Sequence, residues 1–260
     1  MRPLVTLTTD FGMRDPYVAA VKGQILSRCA TNVEIIDLTH EIAPGNIIEG
    51  ALFLAGSVPY FPKGTFHVVV IDPGVGSERH PIVAKIGGQI VVCPDNGLLS
   101  FLCQREPLEE AYIITNSDFM RRDVSATFHG RDIFAPTVGL LAAGRGLEEV
   151  GAVLDTVLTI PLPEPTRESG NRAVGEIIHV DRFGNCVTNI HRSIFEDEGD
   201  ISVTAGSLHL PVVSRTYGDV PVSEPLALIG STDYLEISVN QGSAGDAFGL
   251  SPGDPVEINW

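Results

Sequence analysis

Four apolar stretches in the first part of the chain end in an aspartate: Asp10, Asp37, Asp72 and Asp95. A carboxylate at such a position either caps the turn that follows or faces a ligand, because ligands of open α/β sheets sit beyond the carboxyl ends of the strands. Asp37 is read as a cap. Asp10 and Asp72 precede glycine turns, "DFG" and "DPGVG", where the backbone can pass close to a ligand. Arg79 follows the second turn, and "ATFHGRDIFAP" (126–136) places His129 at the entry to a helix. A histidine there either serves the helix terminus and packing or, titrating near neutrality, completes with Asp72 and an arginine that stays charged a set able to orient and deprotonate water. The turn is expected to let Asp72 and Arg79 face one ligand atom from either side of a tight loop, with His80 a bystander. A third patch, "HVDRFGNCVTNIHR" (179–192), gathers an acid, an aromatic ring and two amides. Asparagine amides match the donor and acceptor edge of a purine, and Phe183 is placed to stack on a ring. A tight turn at Gly184-Asn185 accounts for the same residues without a ligand.

"DPGVG" is not a phosphate cradle. No third glycine follows at the dinucleotide-fingerprint spacing, and no G-K-[ST] occurs. The next segment, "SERHPIVAKIG", reads as strand, so no helix N-terminus waits for a pyrophosphate.

The elements that must hold these groups alternate. "LVTLTTD" reads as a strand and "DPYVAAVKGQILSRC" as a helix, with Asp15 at its N-cap and Pro16 at its first position. "VEIIDLTH" and "FHVVVID" are further strands, with the helix "NIIEGALFLAGSV" between them. "PIVAKIGGQIVVCPD" is a hairpin turning at Gly87-Gly88. A short helix "NGLLSFLC", a strand "AYIITN" and a helix "DIFAPTVGLLAAG" closed by Gly144 follow. This alternation predicts an α/β layered domain with a mainly parallel sheet over residues 1–160. Prolines and Ser169-Gly170 mark a linker over 161–172. Short strand candidates without a helical period, "LHLPVV" among them, then predict a smaller all-β, barrel-like domain over 173–260.

The chain has 260 residues, 43% of them hydrophobic, with a formal net charge of −16. Such a surface repels nucleic acid and favours a cationic small molecule. No apolar run reaches the roughly 18 residues of a membrane helix, and the start "MRPLVTLTTD" is too polar for a signal peptide. Four scattered cysteines without a C-x-x-C suggest free thiols in the cytoplasm and no structural metal site.

In these patches the sequence resembles the adenosine-forming S-adenosyl-L-methionine (SAM) hydrolases, or SAM hydroxide adenosyltransferases, relatives of the SAM-dependent fluorinase and chlorinase. The matching segments are "TTDFG" (8–12), "DPGVG" (72–76), "PDNGLL" (94–99), "TFHGRDIFAP" (127–136), "RFGNCVTNIHR" (182–192) and "YLEISVNQGSA" (234–244). The resemblance implies a homotrimer, with the ligand between the N-terminal domain of one subunit and the C-terminal domain of its neighbour. It also implies SAM as substrate, no cofactor, and Asp72, Arg79 and His129 as the catalytic set. Asp10 would bind the ribose hydroxyls, Asp181 the methionine amino group, and Phe183 and Asn185 the adenine or ribose. Phe128, Ser231 and the chain near Asn240 and Gln241 would complete the substrate site. The halogenase branch carries an aromatic residue at the position of Asp72, and the fluorinase a serine at that of Gly130, so water is favoured over halide. A halogenase-like transferase and a SAM or adenosine sensor without turnover are the alternatives. A metal phosphoesterase, suggested by the acid-rich strand ends alone, has little support.

Overall fold

The computed structural model describes residues 2–29, 32–161, 163–168, 171–195 and 201–260. The chain forms two compact units, Met1–Leu162 and Pro163–Trp260.

The first unit runs β1 (Leu4–Thr9), α1 (Tyr17–Arg28), β2 (Glu34–Thr39), α2 (Ile47–Ser57), β3 (Phe66–Val70), β4 (Pro81–Ile86), β5 (Gln89–Pro94), α3 (Ser100–Arg105), β6 (Leu108–Ile113) and α4 (Ala135–Ala142). The sheet order is β2-β1-β3-β5-β4-β6. The pairs β1–β2, β1–β3 and β3–β5 are parallel, and β4 is antiparallel to both its neighbours. Ile86 pairs with Gln89, so Gly87-Gly88 is the two-residue hairpin turn expected. Alternate residues of β3 serve two cores. Val68 and Val70 pack with Val21 and Ile25 of α1 and Val138 of α4, while Val69 and Ile71 pack with Leu54 of α2 and Leu102 of α3. Helices thus cover both faces, the α/β layered arrangement that the alternation of elements predicts.

Within this sheet His67 is wholly buried, and burial pushes its pKa down to about 4. The neutral ring bonds Thr6 Oγ1 through Nδ1 at 2.8 Å, tying β3 to β1 at the register point Thr6↔His67. Asp15 does not cap α1. Pro16 occupies the N-cap and no side chain bonds the free N–H groups; instead the Ala20 N–H donates to the Pro16 carbonyl at 2.9 Å. Gly144 ends the last helix at φ +102°, its N–H bonding the Leu141 carbonyl.

The second unit contains β7 (Thr166–Glu168), β8 (Arg172–Val180), β9 (Cys186–His191), β10 (Ser202–Ala205), β11 (Leu208–Leu210), β12 (Val213–Ser214), β13 (Pro225–Ile229), β14 (Tyr234–Val239), α5 (Ala244–Phe248) and β15 (Pro255–Asn259). The strands form one sheet, β11-β10-β15-β8-β9-β14-β13-β12, with β7 also paired to β8. The sheet curls nearly into a barrel, bringing β11 alongside β13. Inward residues alternate along the strands, as in Leu235, Ile237 and Val239, and Val256 and Ile258. Three details differ from the sequence reading. β7 falls within the stretch read as linker, whose Ser169-Gly170 lie outside the described residues. "LHLPVV" is two strands because Pro211 cannot continue the ladder. Five residues also form α5, too short for a helical period to register.

Candidate active site

In the first unit a cavity of about 320 Å³ is lined by Asp10, Phe11, Asp72, Phe128 and His129, among others. Asp10 and Asp72 reach it because β1 and β3 are parallel neighbours, with Thr9 opposite Val70, and each acid follows its strand's carboxyl end. The chain leaves β1 for α1 on one face and β2 for α2 on the other, so this is the reversal point where open α/β sheets form their crevice.

Asp10 is held by its turn. Its Oδ2 accepts from the Gly45 N–H at 2.9 Å, while Thr9 Oγ1 bonds His40 Nδ1 at 2.8 Å and the Gly12 N–H bonds the His40 carbonyl at 2.7 Å. The other two acids go elsewhere, and Asp37 is not the cap expected: it lies inside β2, before that strand ends. Asp37 pairs with Lys22 Nζ at 2.5 Å and lies 3.1 Å from His40 Nε2, and Asp95 accepts from the Leu158 N–H at 2.7 Å.

Asp72 and Arg79 face each other rather than a common third atom. Arg79 Nε donates to Asp72 Oδ1 at 2.9 Å and Nη2 donates to Oδ2, a bidentate pair whose side chains are only 5% (Asp72) and 8% (Arg79) exposed. The same Nη2 lies 2.6 Å from His129 Nδ1. A guanidinium has donors and no acceptor, so Nδ1 accepts and the neutral ring carries its proton on Nε2. Burial, and next the Arg79 charge, push the His129 pKa below its usual value, while Asp72 and Asp132 pull the other way. His129 is therefore a neutral N–H donor through Nε2. Its basic nitrogen is already taken, which removes the pKa argument for making it the proton acceptor.

The "FHGRDIF" segment is shaped by more than the histidine. Gly130–Phe134 is a π-helical turn leading into α4, in which the Ala135 N–H reaches the Gly130 carbonyl. Such turns recur at functional sites. Asp132 is fully buried inside it and accepts from Arg121 Nη1 (2.9 Å), Arg131 Nε (2.6 Å) and Nη2 (2.8 Å) and the Ser125 N–H (2.9 Å). Burial raises its pKa, but these donors outweigh burial and hold it below the usual value. On the opposite side Gly76, at φ +76°, packs so closely on the Ala126 carbonyl that a Cβ would clash. The 72–76 turn and the 126–129 segment are thereby pressed together. Phe128 is set edge-on against Phe11 and Tyr17, with ring centroids 5.8 and 5.2 Å away.

In the second unit a cavity of about 910 Å³ is lined by Asp181, Phe183, Asn185, Ser231 and Gln241. The tight turn at Gly184-Asn185 is present: the Asp181 N–H bonds the Asn185 carbonyl, and Gly184 has φ +82°. Phe183 stands 76% exposed on that turn, free to meet a ring. Asn240 is not on the cavity wall. Its N–H, carbonyl and side-chain amide bond Glu224, Ser223 and Val220. The same wall includes Arg215, Tyr217 and Glu236, which the sequence reading did not single out. Glu236 had one legible signal, an acid on the same strand face as Ser238 in the apolar run "YLEISV".

Among the described residues, no group of three or more His, Cys, Asp or Glu side chains is arranged to hold a metal, and no helix is long and apolar enough to cross a membrane. Residues 5–151 match the SAM hydroxide adenosyltransferase N-terminal domain, and residues 175–257 the C-terminal domain of the same name. A Salinispora tropica protein named (R)-S-adenosyl-L-methionine hydrolase is 38% identical over 98% of this chain and 97% of its own length. A fluorinase of an Actinoplanes species is more distant, 29% identical over 98% of this chain and 97% of its own. The solved structure of an uncharacterized conserved protein from Thermotoga maritima has a TM-score of 0.92 at 35% identity, covering 98% of this chain and all of that one.

Proposed function

The chain belongs to the SAM hydroxide adenosyltransferase family, and on that premise we propose that it hydrolyses SAM to adenosine and L-methionine. The observation that carries the reading is the Asp72–Arg79–His129 set beside the first-unit cavity. Water attacks ribose C5′ opposite the sulfonium. The new C5′–O bond forms as the C5′–S bond breaks, and the electron pair stays on sulfur. Methionine leaves as a neutral thioether, so the leaving group needs no acid, and the reaction calls for no cofactor. The enzyme supplies in-line positioning, worth up to about 7–11 kcal/mol in favourable systems, and an acceptor for the water proton. Arg79 locks the Asp72 carboxylate, His129 Nε2–H donates to the water oxygen, and the remaining Asp72 lone pairs accept the water proton.

Charge decides the nucleophile. Asp72 and Arg79 cancel and His129 is neutral, so the set offers a halide anion no net positive charge. Asp10 takes the ribose hydroxyls, Phe183 and Asn185 the purine, and Asp181 the amino group, with Phe128, Ser231 and Gln241 around them. A homotrimer working in the cytoplasm is part of the same proposal. Sedimentation checks the trimer.

Incubation with SAM and chromatography for adenosine tests the function. Adenosine is expected, unchanged by added chloride or EDTA. Asp72→Ala is expected to abolish release while leaving SAM binding measurable. Full activity in that variant, or a chlorinated nucleoside product, would overturn the assignment.

A further inference from the structure

Asp10, Phe11, Pro44 and Gly45 bring two loops to the first-unit cavity, one following β1 and one following β2. His40, 4% exposed, joins them. Its Nδ1 lies 2.8 Å from Thr9 Oγ1, and its carbonyl accepts from the Gly12 N–H at 2.7 Å, so the turn that carries Asp10 is fastened to His40 on both sides. Thr9 Oγ1 also accepts from the Phe11 N–H at 3.3 Å, and Asp10 Oδ2 from the Gly45 N–H at 2.9 Å. Asp10 Oδ1 accepts from no group among the described residues. Behind the ring, Nε2 lies 3.1 Å from Asp37 Oδ1, off the line of a full hydrogen bond, and Asp37 Oδ2 pairs with Lys22 Nζ at 2.5 Å. Burial raises the Asp37 pKa, but Lys22 and His40 outweigh burial and hold the group below its usual value, as a carboxylate. In the neutral ring the proton therefore sits on Nε2, facing the acid, and Nδ1 accepts from the Thr9 hydroxyl. An acid, an imidazole and a hydroxyl in a row are the parts of a nucleophilic triad, but Thr9 is only 1% exposed and its oxygen already accepts from the Phe11 amide. The ring is also reversed, with Nδ1 rather than Nε2 on the hydroxyl. The row is a support and not a nucleophile.

We infer that His40 is a positioning residue: through Thr9 and the Gly12 amide it aims the Asp10 carboxylate at the vicinal ribose hydroxyls, and thereby sets the preference for a ribose over a 2′-deoxyribose substrate. The inference rests on the SAM reading above. An aspartate side chain is short, so its oxygens are placed by the backbone that carries them. The Gly45 amide fixes one oxygen, and the His40 clamp fixes the turn. The ribose hydroxyls do not change as the C5′–S bond breaks. Their contact with Asp10 therefore serves substrate and transition state alike, and its loss shows in KM rather than in kcat.

The test compares SAM with its 2′-deoxyribose analogue. Wild-type protein should favour SAM by about 10–100-fold in kcat/KM, the size of one hydrogen bond to a charged group. His40→Phe removes both ring nitrogens and keeps the bulk. It should raise KM for SAM about 10-fold with kcat within about 2–3-fold, while the analogue loses no more than about 2–3-fold, because the contact is already gone. The preference for SAM thus contracts. His40→Asn, whose amide can replace Nδ1 on Thr9, should restore most of it. Thr9→Val, close to threonine in shape, should behave like His40→Phe and takes its place if that variant does not fold. Equal losses on both substrates overturn the inference, as does a preference that His40→Asn leaves as low as His40→Phe does. Wild-type protein that treats the two substrates alike overturns the ribose assignment of Asp10, and wild-type protein that releases no adenosine from SAM overturns the hydrolase reading itself.

Discussion

Replacing Arg79 by alanine removes the group that bonds both Asp72 and His129, and its consequences separate by measurement. The pair it breaks is 5% and 8% exposed. Stranding one partner of a buried pair costs about 3–5 kcal/mol, and the lower figure applies here because the adjoining cavity admits water to Asp72. The His129 pKa moves upward in the variant, since the Arg79 charge and bond that lower it are gone while Asp72 still raises it. In the wild-type protein neutral His129 is the working form. Activity is therefore full at and above the ordinary histidine pKa and falls only as pH drops through the lowered value. In Arg79→Ala the fall begins at higher pH, and the loss of water positioning lowers kcat by about 10²–10⁴-fold. Nitrogen-15 NMR of the imidazoles, denaturant unfolding and a pH profile of adenosine release read the three effects. A wild-type His129 with its neutral proton on Nδ1, or an acid limb that does not move in the variant, would refute the reasoning.

Gly130→Ser places a Cβ 3.2 Å from Phe11 Cζ, so that ring must shift slightly, and in ordinary contact with Phe128 Cε2 at 3.4 Å; a loss of about 1 kcal/mol is expected, without chloride-dependent product, as unfolding and product analysis will show. Gly76→Ala combines a positive φ with a clash on the Ala126 carbonyl and should cost about 1–3 kcal/mol, visible as a lower Tm together with reduced turnover. Asp132→Asn should reduce stability most at neutral pH. The carboxylate's lowered pKa gives stability that is present above its unfolded value and lost on acidification, so the wild-type and variant curves should converge as pH falls through the acid range.

The first unit was legible because its strands are continuous apolar runs and its helices carry the longer period; Val68 to Ile71 serve two cores by simple alternation. Asp10 and Asp72 stood out as acids before glycine turns, and the fold brings them to one cavity. Asp37 and Asp95 also end apolar runs of the sequence, but Asp37 sits inside β2 beside Lys22 and Asp95 accepts from the Leu158 amide, partners whose proximity no local pattern encodes. The direction of the Arg79 bonds is likewise a three-dimensional fact: nothing in "DPGVGSERH" says that the guanidinium turns back onto Asp72 and reaches residue 129. Glu236 was hidden because one acid in an apolar strand reads as a solvent-facing residue. Only the fold shows Tyr217 and Ser238 bonding it.

The π-helical turn at Gly130–Phe134 acts as a phase shift. It holds one residue more than an α-helical turn, so what precedes it is rotated by about 100° relative to the face that Val138 and Leu141 bury against the sheet. Packing and chemistry can thus be tuned separately along one continuous segment. Deleting a single residue from 130–134 would restore a regular helix, leave the buried face of α4 in place, and swing His129 about a quarter turn away from Arg79.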